Sequence, residues 1–290
     1  MSAITETTVT AVVTPRAATA RWRLLTRKPT FLVGAAILLF WVVCAIAGSS
    51  IASYSPLAQS LLFTNTAPSA AHWFGTDQLG RDVLARVLVG SRDILIITPL
   101  ATILGTVCGT ILGLAMGYFG GILDLVASRI VEAVLALPAV MVAFLFIVAL
   151  GPSVVTLVVV IGFIFTPLIA RTVRAAVLAE RHLDYLPAAR LTGANAWSVM
   201  YVEILPNVLP AVLVEFSVRL GYAIFTVATL SFLGFGIQPP TPDWGGDIAA
   251  NYGLLAAGYW WETLFPALAI ASLVVAVNLI TDSLEQVMSS

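Results

Sequence analysis

Six apolar stretches limit what this chain can become. They fall at roughly 31–51, 94–119, 126–150, 154–174, 208–236 and 263–281, and each is long enough to cross about 30 Å of hydrocarbon as a helix. Lipid offers no partner to a bare backbone N–H or C=O, so a crossing segment must satisfy its own hydrogen bonds. The pattern predicts an all-α integral membrane protein. Composition agrees, with 60% of the 290 residues hydrophobic, 10% charged and a mean hydropathy of +1.00.

Charge and cysteine usage exclude several classes. A net charge of -1 and a pI near 6.1 leave no basic footprint for nucleic acid. Cys44 and Cys108 both lie inside apolar runs, where they act as small hydrophobes and imply neither a disulfide nor a metal framework. His72 and His182 sit in different connecting segments with no carboxylate or cysteine spaced as a ligand partner. Both are expected to be solvated polar side chains.

Residues 1–29 are rich in Ser, Thr and Ala and then basic, with Arg21, Arg23, Arg27 and Lys28 leading into the first run. Ala45-Ile46-Ala47 imitates a signal-peptide cleavage site, but the apolar run is nearer a full span and the basic region before it is long. Bulky Val43 argues against lipoprotein processing at Cys44. We expect an uncleaved first span after a disordered cytoplasmic segment 1–29, with 30–290 forming one transmembrane domain. The basic cluster before the first helix, and Arg171, Arg174, Arg181 and Arg190 after the fourth, place both chain ends inside. Segments 52–93 and 237–262 then lie outside and 175–207 inside. Arg81, Arg86 and Arg92 run against the charge rule, whereas 237–262 has no Lys or Arg.

Within the second run Gly105, Gly109, Gly113 and Gly117 recur every fourth residue, a ridge that lets another helix approach backbone to backbone. Internal packing of the bundle is the expected role. Glu215 and Arg219 in the fifth run are four apart with the acid first, the spacing at which they meet on one helix face. A structural ion pair is the first reading, a proton or substrate relay the second. Asp124, Arg129 and Glu132 flank the inner start of the third helix. In the outer segment, Asp77 with Arg81 and Asp82 with Arg86 are further acid-first pairs, with Val83, Leu84, Val87 and Leu88 as an apolar face. That predicts an amphipathic helix lying on the outer membrane surface. Residues 230–249 are dense in Gly and Pro, and Trp244, Trp260 and Trp261 suit an interfacial turn at headgroup level.

The stretch LPAARLTGANAWSVMYVEILPN, residues 186–207, interrupts the apolar pattern. Asp184 can cap a short helix with Pro187 in its first turn, and Gly193 can take the left-handed conformation that closes it. Asn195 can cap a second helix that ends where Pro206 and Pro210 begin the fifth span. Ala188, Ala189, Gly193 and Ala194 leave the apex with almost no side-chain bulk, and Leu183, Leu186, Leu191 and Trp197 are available as anchors.

This run resembles the EAA motif of ABC-type importer permeases: Ala188, Ala189, Gly193, Leu205 and Pro206 match in register, while Pro187 stands where that family usually has Glu and Glu203 where it has Ile. Residues 72–92 (HWFGTDQLGRDVLARVLVGSR, with Gly75, Thr76, Asp77, Gly80, Arg81 and Asp82) and 230–249 (LSFLGFGIQPPTPDWGGDIA) are similar to segments of the second permease subunit of dipeptide and oligopeptide importers. The similarity runs from about Arg21 to Ser283, and NLITD carries Thr281 where the family pattern has Gly. The resemblance implies the type I importer permease fold, with Asp184, Leu186, Pro187, Ala188, Ala189, Arg190, Gly193, Ala194, Trp197, Leu205 and Pro206 forming a coupling loop for partner ATPases. It also implies a homologous second permease subunit, two ATP-binding subunits or one fused double ATPase, an extracytoplasmic substrate-binding protein, and a peptide cargo. The outer segment would help shape the vestibule where the binding protein docks.

No nucleotide-binding glycine-lysine pattern occurs, and the only lysine, Lys28, is followed by Pro29. The expectation is a non-catalytic subunit that binds no cofactor itself and takes its energy from ATP and Mg on its partners. Two other classes are kept in view. A proton-coupled secondary transporter working through Glu215 would lack the usual doubled architecture, and an intramembrane hydrolase would need a Ser and a His together inside the bilayer.

Overall fold

The computed structural model describes Leu25, residues 28–181, Leu183 and residues 193–288. Eight helices organise them: α1 (Pro29–Ile51), α2 (Val83–Phe119), α3 (Gly121–Leu135), α4 (Ala139–Leu150), α5 (Val154–Glu180), α6 (Ala196–Phe232), α7 (Trp244–Asn251) and α8 (Trp261–Met288). Among the described residues the only extended pairing is an isolated bridge between Thr76 and Asp82. Five helices, α1, α2, α5, α6 and α8, are long and apolar enough to cross a membrane, and the bent pair α3 and α4 makes up to six.

Three boundaries differ from the hydropathy reading, each for a local reason. The helix that carries the second span begins before 94. Asp82 accepts a hydrogen bond from the Ala85 amide at 2.8 Å and so caps a single helix that starts at Val83. At 37 residues α2 is about 55 Å long, far more than the hydrocarbon core, so its first turns stand clear of the lipid. The third span is not straight: α3 and α4 meet at 87°. Pro138 brings no amide to the helix, and the residue before a proline is driven out of helical geometry, so the chain turns at Leu137 and restarts at Ala139. Conversely, Pro206 and Pro210 do not separate a loop helix from the fifth span. The helix runs unbroken from Ala196, with a π-helical stretch at Val199–Ile204 absorbing the misfit before Pro206.

The core is built around the contact of α2 with α5. A Cβ on Gly105 would lie 2.9 Å from that of Phe165; on Gly109, 2.7 Å from that of Ile169; on Gly113, 2.7 Å from both Val173 Cβ and the Ala170 carbonyl; on Gly117, 2.6 Å from Val177 Cγ1. The ridge is a packing surface, as its spacing implies. Ile97, Ala101, Leu157, Ile161, Ile169 and Val173 fill the rest of that seam. Helices α1 and α8 lie antiparallel at the side of the bundle, joined by Thr30 with Ser283 at 3.0 Å, Lys28 with Gln286 at 2.9 Å, and Trp41 Nε1 donating to Ser272 at 2.9 Å. The start of α1, the end of α8 and Gly193 therefore share one face of the bundle, and the loops around Trp244 share the other.

Candidate functional site

At the Gly193 face, the short turn keeps the features expected of it where it is described. Gly193 has φ +82, and among the described residues a Cβ there would meet nothing within 4 Å, so its left-handed backbone is what calls for glycine. Asn195 caps the next helix by accepting from the Ser198 amide at 2.7 Å. Ala194 and Leu205 pack against the core, above buried Val199, Met200 and Ile204. Leu183 and Trp197 do not anchor the turn inward. Trp197 is 63% exposed and, among the described residues, stacks on Tyr201 at 5.8 Å between ring centroids, so an indole stands outward beside the glycine turn. Asp184, Leu186, Pro187, Ala188, Ala189, Arg190, Leu191 and His182 lie outside the described residues. Nearby, Asp124 at the start of α3 takes two hydrogen bonds from Arg174 of α5, at 2.5 and 2.7 Å, and Arg129 pairs with Glu132 at 2.7 Å on the exposed side.

The opposite face corrects the surface-helix expectation. Residues 72–92 are folded into the molecule as a polar knot, with Asp77 only 2% exposed and Arg86 4%. Asp77 does pair with Arg81, at 2.6 Å, and its other oxygen collects the Leu79 and Arg81 amides at 2.9 Å each. A Cβ on Gly80 would run into the Ser60 carbonyl, and one on Gly75 would come within 2.6 Å of Thr66 O. Asp82 does not pair with Arg86. As the α2 cap it turns one oxygen to Ala85 and the other to His72 Nδ1 at 2.8 Å, so His72 is a partnered, half-buried group and not a solvated one. Arg86 instead reaches Asp247 on α7 with contacts of 2.5 to 3.0 Å, and the carbonyls of Pro56 and Pro240 at 3.2 and 3.4 Å. Burial pushes the Asp247 carboxyl above the usual carboxylate range, and the Arg86 charge opposes that shift.

The tryptophans follow the same correction. Trp244 and Trp261 are buried, donating to the Val87 carbonyl at 2.8 Å and the Thr76 carbonyl at 3.1 Å, and only Trp260 of the three is exposed. Residues 237–243 lead into α7, whose cap Asp243 accepts from Gly245 and Gly246 and takes the Ser231 hydroxyl at 2.7 Å. The knot thus ties the segment after α1, the start of α2, α7 and the start of α8 into one body. Sequence reasoning missed Asp247, because nothing local signals a partner 161 residues away, and Glu262, whose burial comes from packing that its own neighbours in sequence do not announce.

Between the two faces Glu215 and Arg219 of α6 form the expected pair, with Arg219 Nε at 2.7 Å and Nη2 at 2.5 Å from Glu215 Oε1. Among the described residues no cluster of His, Cys, Asp or Glu is arranged to hold a metal ion. The described residues thus form a bundle cross-linked by the knot on one side, with the glycine turn on the other and a charged pair between them.

Comparison with known sequences defines the class. Residues 109–290 match the binding-protein-dependent transport system inner membrane component family, and residues 19–68 match the N-terminal transmembrane domain of oligopeptide transport permease C. The chain belongs to the first of these families, whose members have the type I importer permease fold and serve as transport permease subunits. Membership implies a substrate-binding protein and ATPase partners. Among its relatives are the dipeptide transport system permease protein DppC of Escherichia coli strain K12, 38% identical over 98% of this chain and 97% of that one. The DppC of Bacillus subtilis strain 168 is 37% identical over 91% and 82%, and the glutathione transport system permease protein GsiD of Pectobacterium atrosepticum is 35% identical over 76% and 73%.

Proposed function

We propose that this chain is a permease subunit of an ATP-driven importer for dipeptides and oligopeptides, forming half of the translocation pathway in a cytoplasmic membrane with both chain ends inside. The observation that carries the cargo class is the match of this chain to two dipeptide transport permeases over 97% and 82% of their length. Its partners in this reading are a homologous second permease subunit, two ATP-binding subunits or one fused double ATPase, and an external substrate-binding protein. ATP and Mg are held by the partners.

Closure of the ATPases around nucleotide would move the turn at Gly193 and, through the unbroken helix from Ala196 to Phe232, the wall of the pathway. A loop hinged from its span would lose that displacement; a continuous helix transmits it. Coupling also requires that each state be favoured by a different contact, since a contact equal in both shifts nothing. The space that the described residues leave at Gly193 and the outward Trp197 suit a partner surface that approaches closely in one state. The test is Gly193→Asp in the assembled transporter. Its left-handed backbone and new charge should reduce ATP-driven uptake about tenfold or more while the subunit still inserts and copurifies with its ATPases. Wild-type uptake by that variant would remove the turn from the coupling role. Cargo is read separately, from what the binding protein retains on purification.

A further inference from the structure

Glu215 and Arg219 lie roughly 15–25 Å from either end of the α-helical stretch Leu205–Phe232, near the middle of a membrane-crossing element. Ionised groups at that depth are costly, and apolar side chains of similar volume would hold a bundle together at least as well. Nor is the pair sealed into the protein, since 12% of the Glu215 side chain and 18% of Arg219 remain exposed. Two N–H groups of the guanidinium converge on one carboxylate oxygen, so Glu215 Oε2 and Arg219 Nη1 make no hydrogen bond among the described residues.

A second observation points the same way. Arg219 borders a cavity of about 220 Å³ between α6, α4 and α5, whose α6 wall continues through Tyr222, Thr226 and Thr229. With 3.6 residues per turn, positions 215, 219, 222, 226 and 229 fall within an arc of about 80°, a polar stripe on a helix whose opposite face is apolar and packed. The Tyr222 ring sits 5.6 Å from Arg219 Cζ, and the two threonine hydroxyls donate to Tyr222 O and Phe225 O at 2.8 Å each, keeping oxygen lone pairs available as acceptors. The facing walls are apolar, small on α4 (Ala139, Val140, Ala143) and bulkier on α5 (Ile164, Phe165, Leu168). The space is below the ~300–1,000 Å³ of pockets for drug-sized ligands, a size for the backbone of one or two residues.

We propose that this stripe is a way-station in the translocation pathway that takes the charged main-chain termini of a short peptide, the carboxylate on Arg219 and the ammonium on Glu215. The assignment rests on the peptide importer reading above. A guanidinium fork matches a carboxylate, and a passing zwitterion exchanges the internal pair for two external ones, so it crosses the low-dielectric zone without leaving any charge unpaired.

The experiment uses the whole transporter with its binding protein in proteoliposomes. Uptake of a dipeptide with a free C-terminus is measured for wild type, Arg219→Gln, Arg219→Lys and the neutral double variant Glu215→Gln/Arg219→Gln. Loss of a charge-assisted contact should lower uptake about tenfold or more in Arg219→Gln, with Lys intermediate and with subunit copurification unchanged. The double variant separates the roles: a structural pair tolerates joint neutralisation, and return to the wild-type rate would overturn the subsite. In parallel Thr226→Cys, in a Cys108→Ala background, should react with a water-soluble thiol reagent, and the dipeptide should slow that reaction. A thiol the reagent never reaches, in any nucleotide state, also overturns the proposal, and where Arg219→Gln fails to assemble this arm decides alone. A wild-type assembly that moves no peptide overturns the proposed function instead, and this cargo with it, before any variant is compared.

Discussion

Arg86 holds four segments at once, and its removal isolates what a buried charge costs when its partner is lost. Arg86→Ala leaves Asp247 buried without its cation, a change expected to cost about 3–5 kcal/mol, whereas the double variant Arg86→Ala/Asp247→Ala should recover a large part of it. Thermal unfolding in detergent measures both. A pH dependence follows from the direction in which burial moves Asp247. A carboxyl whose folded pKa lies above its unfolded value binds its proton more tightly when folded, so lowering the pH stabilises the folded state. In Arg86→Ala the opposing charge is gone, so the deficit should shrink as the pH falls from neutral, and a deficit that grows would contradict the geometry. Glu262 is a different case. It is 1% exposed, and neither carboxylate oxygen has a hydrogen-bond partner among the described residues. Glu262→Gln removes a buried charge while keeping the shape, and should leave the melting temperature equal to or above that of wild type. Neither residue was legible in the sequence, where Asp82 looked like the partner of Arg86 by spacing. Spacing fails there because Asp82 sits before the first helical turn, and a cap is out of phase with the helix it begins.

At the scale of elements, most of what the sequence conveyed was apolar length and small-residue spacing. Both depend on short stretches of chain, which is why the spans and the role of Gly105, Gly109, Gly113 and Gly117 could be read directly. The start of α2 and the bend after α3 could not be read from hydropathy, since one depends on a cap and the other on a proline inside a continuous apolar run. The turn at Gly193 was legible because glycine and asparagine act through their own backbone and side chain, with no distant partner required. The knot around Arg86 was invisible for the opposite reason. The glycine ridge gives a prediction that helix propensity alone would reverse. Alanine is the better helix former by about 1 kcal/mol, yet Gly113→Ala would put a methyl 2.7 Å from both the Ala170 carbonyl and Val173 Cβ. Two packed backbones cannot part locally, so the variant should lose about 1–3 kcal/mol. Ile103→Ala on the exposed side of the same helix serves as the comparison and should change stability far less. Equal losses at both positions would mean that α2 does not meet α5 through this ridge.

For the whole molecule, the two faces make different demands on the membrane. The knot is charged and closely cross-linked, with Asp77, Arg81, Asp82, Arg86 and Asp247 paired inside it. The other face keeps an open turn and an outward indole, as a part that awaits another protein should. The coupling role stands only if the Gly193 turn faces the compartment that holds ATP, so orientation is the assumption on which the whole assignment depends. Single cysteines can settle it in a Cys108→Ala background, with Cys44 buried and out of reach of reagent. Trp73→Cys lies on the knot side and Trp197→Cys on the turn side, at positions where the native side chains are 71% and 63% exposed. With a membrane-impermeant thiol reagent, right-side-out vesicles should label position 73 and spare 197, and inverted vesicles should do the reverse, unless bound ATPases shield 197 until they are stripped. Labelling of 197 from outside would place the turn away from ATP and end its assignment as the receiver of the power stroke, while leaving the fold and the family untouched.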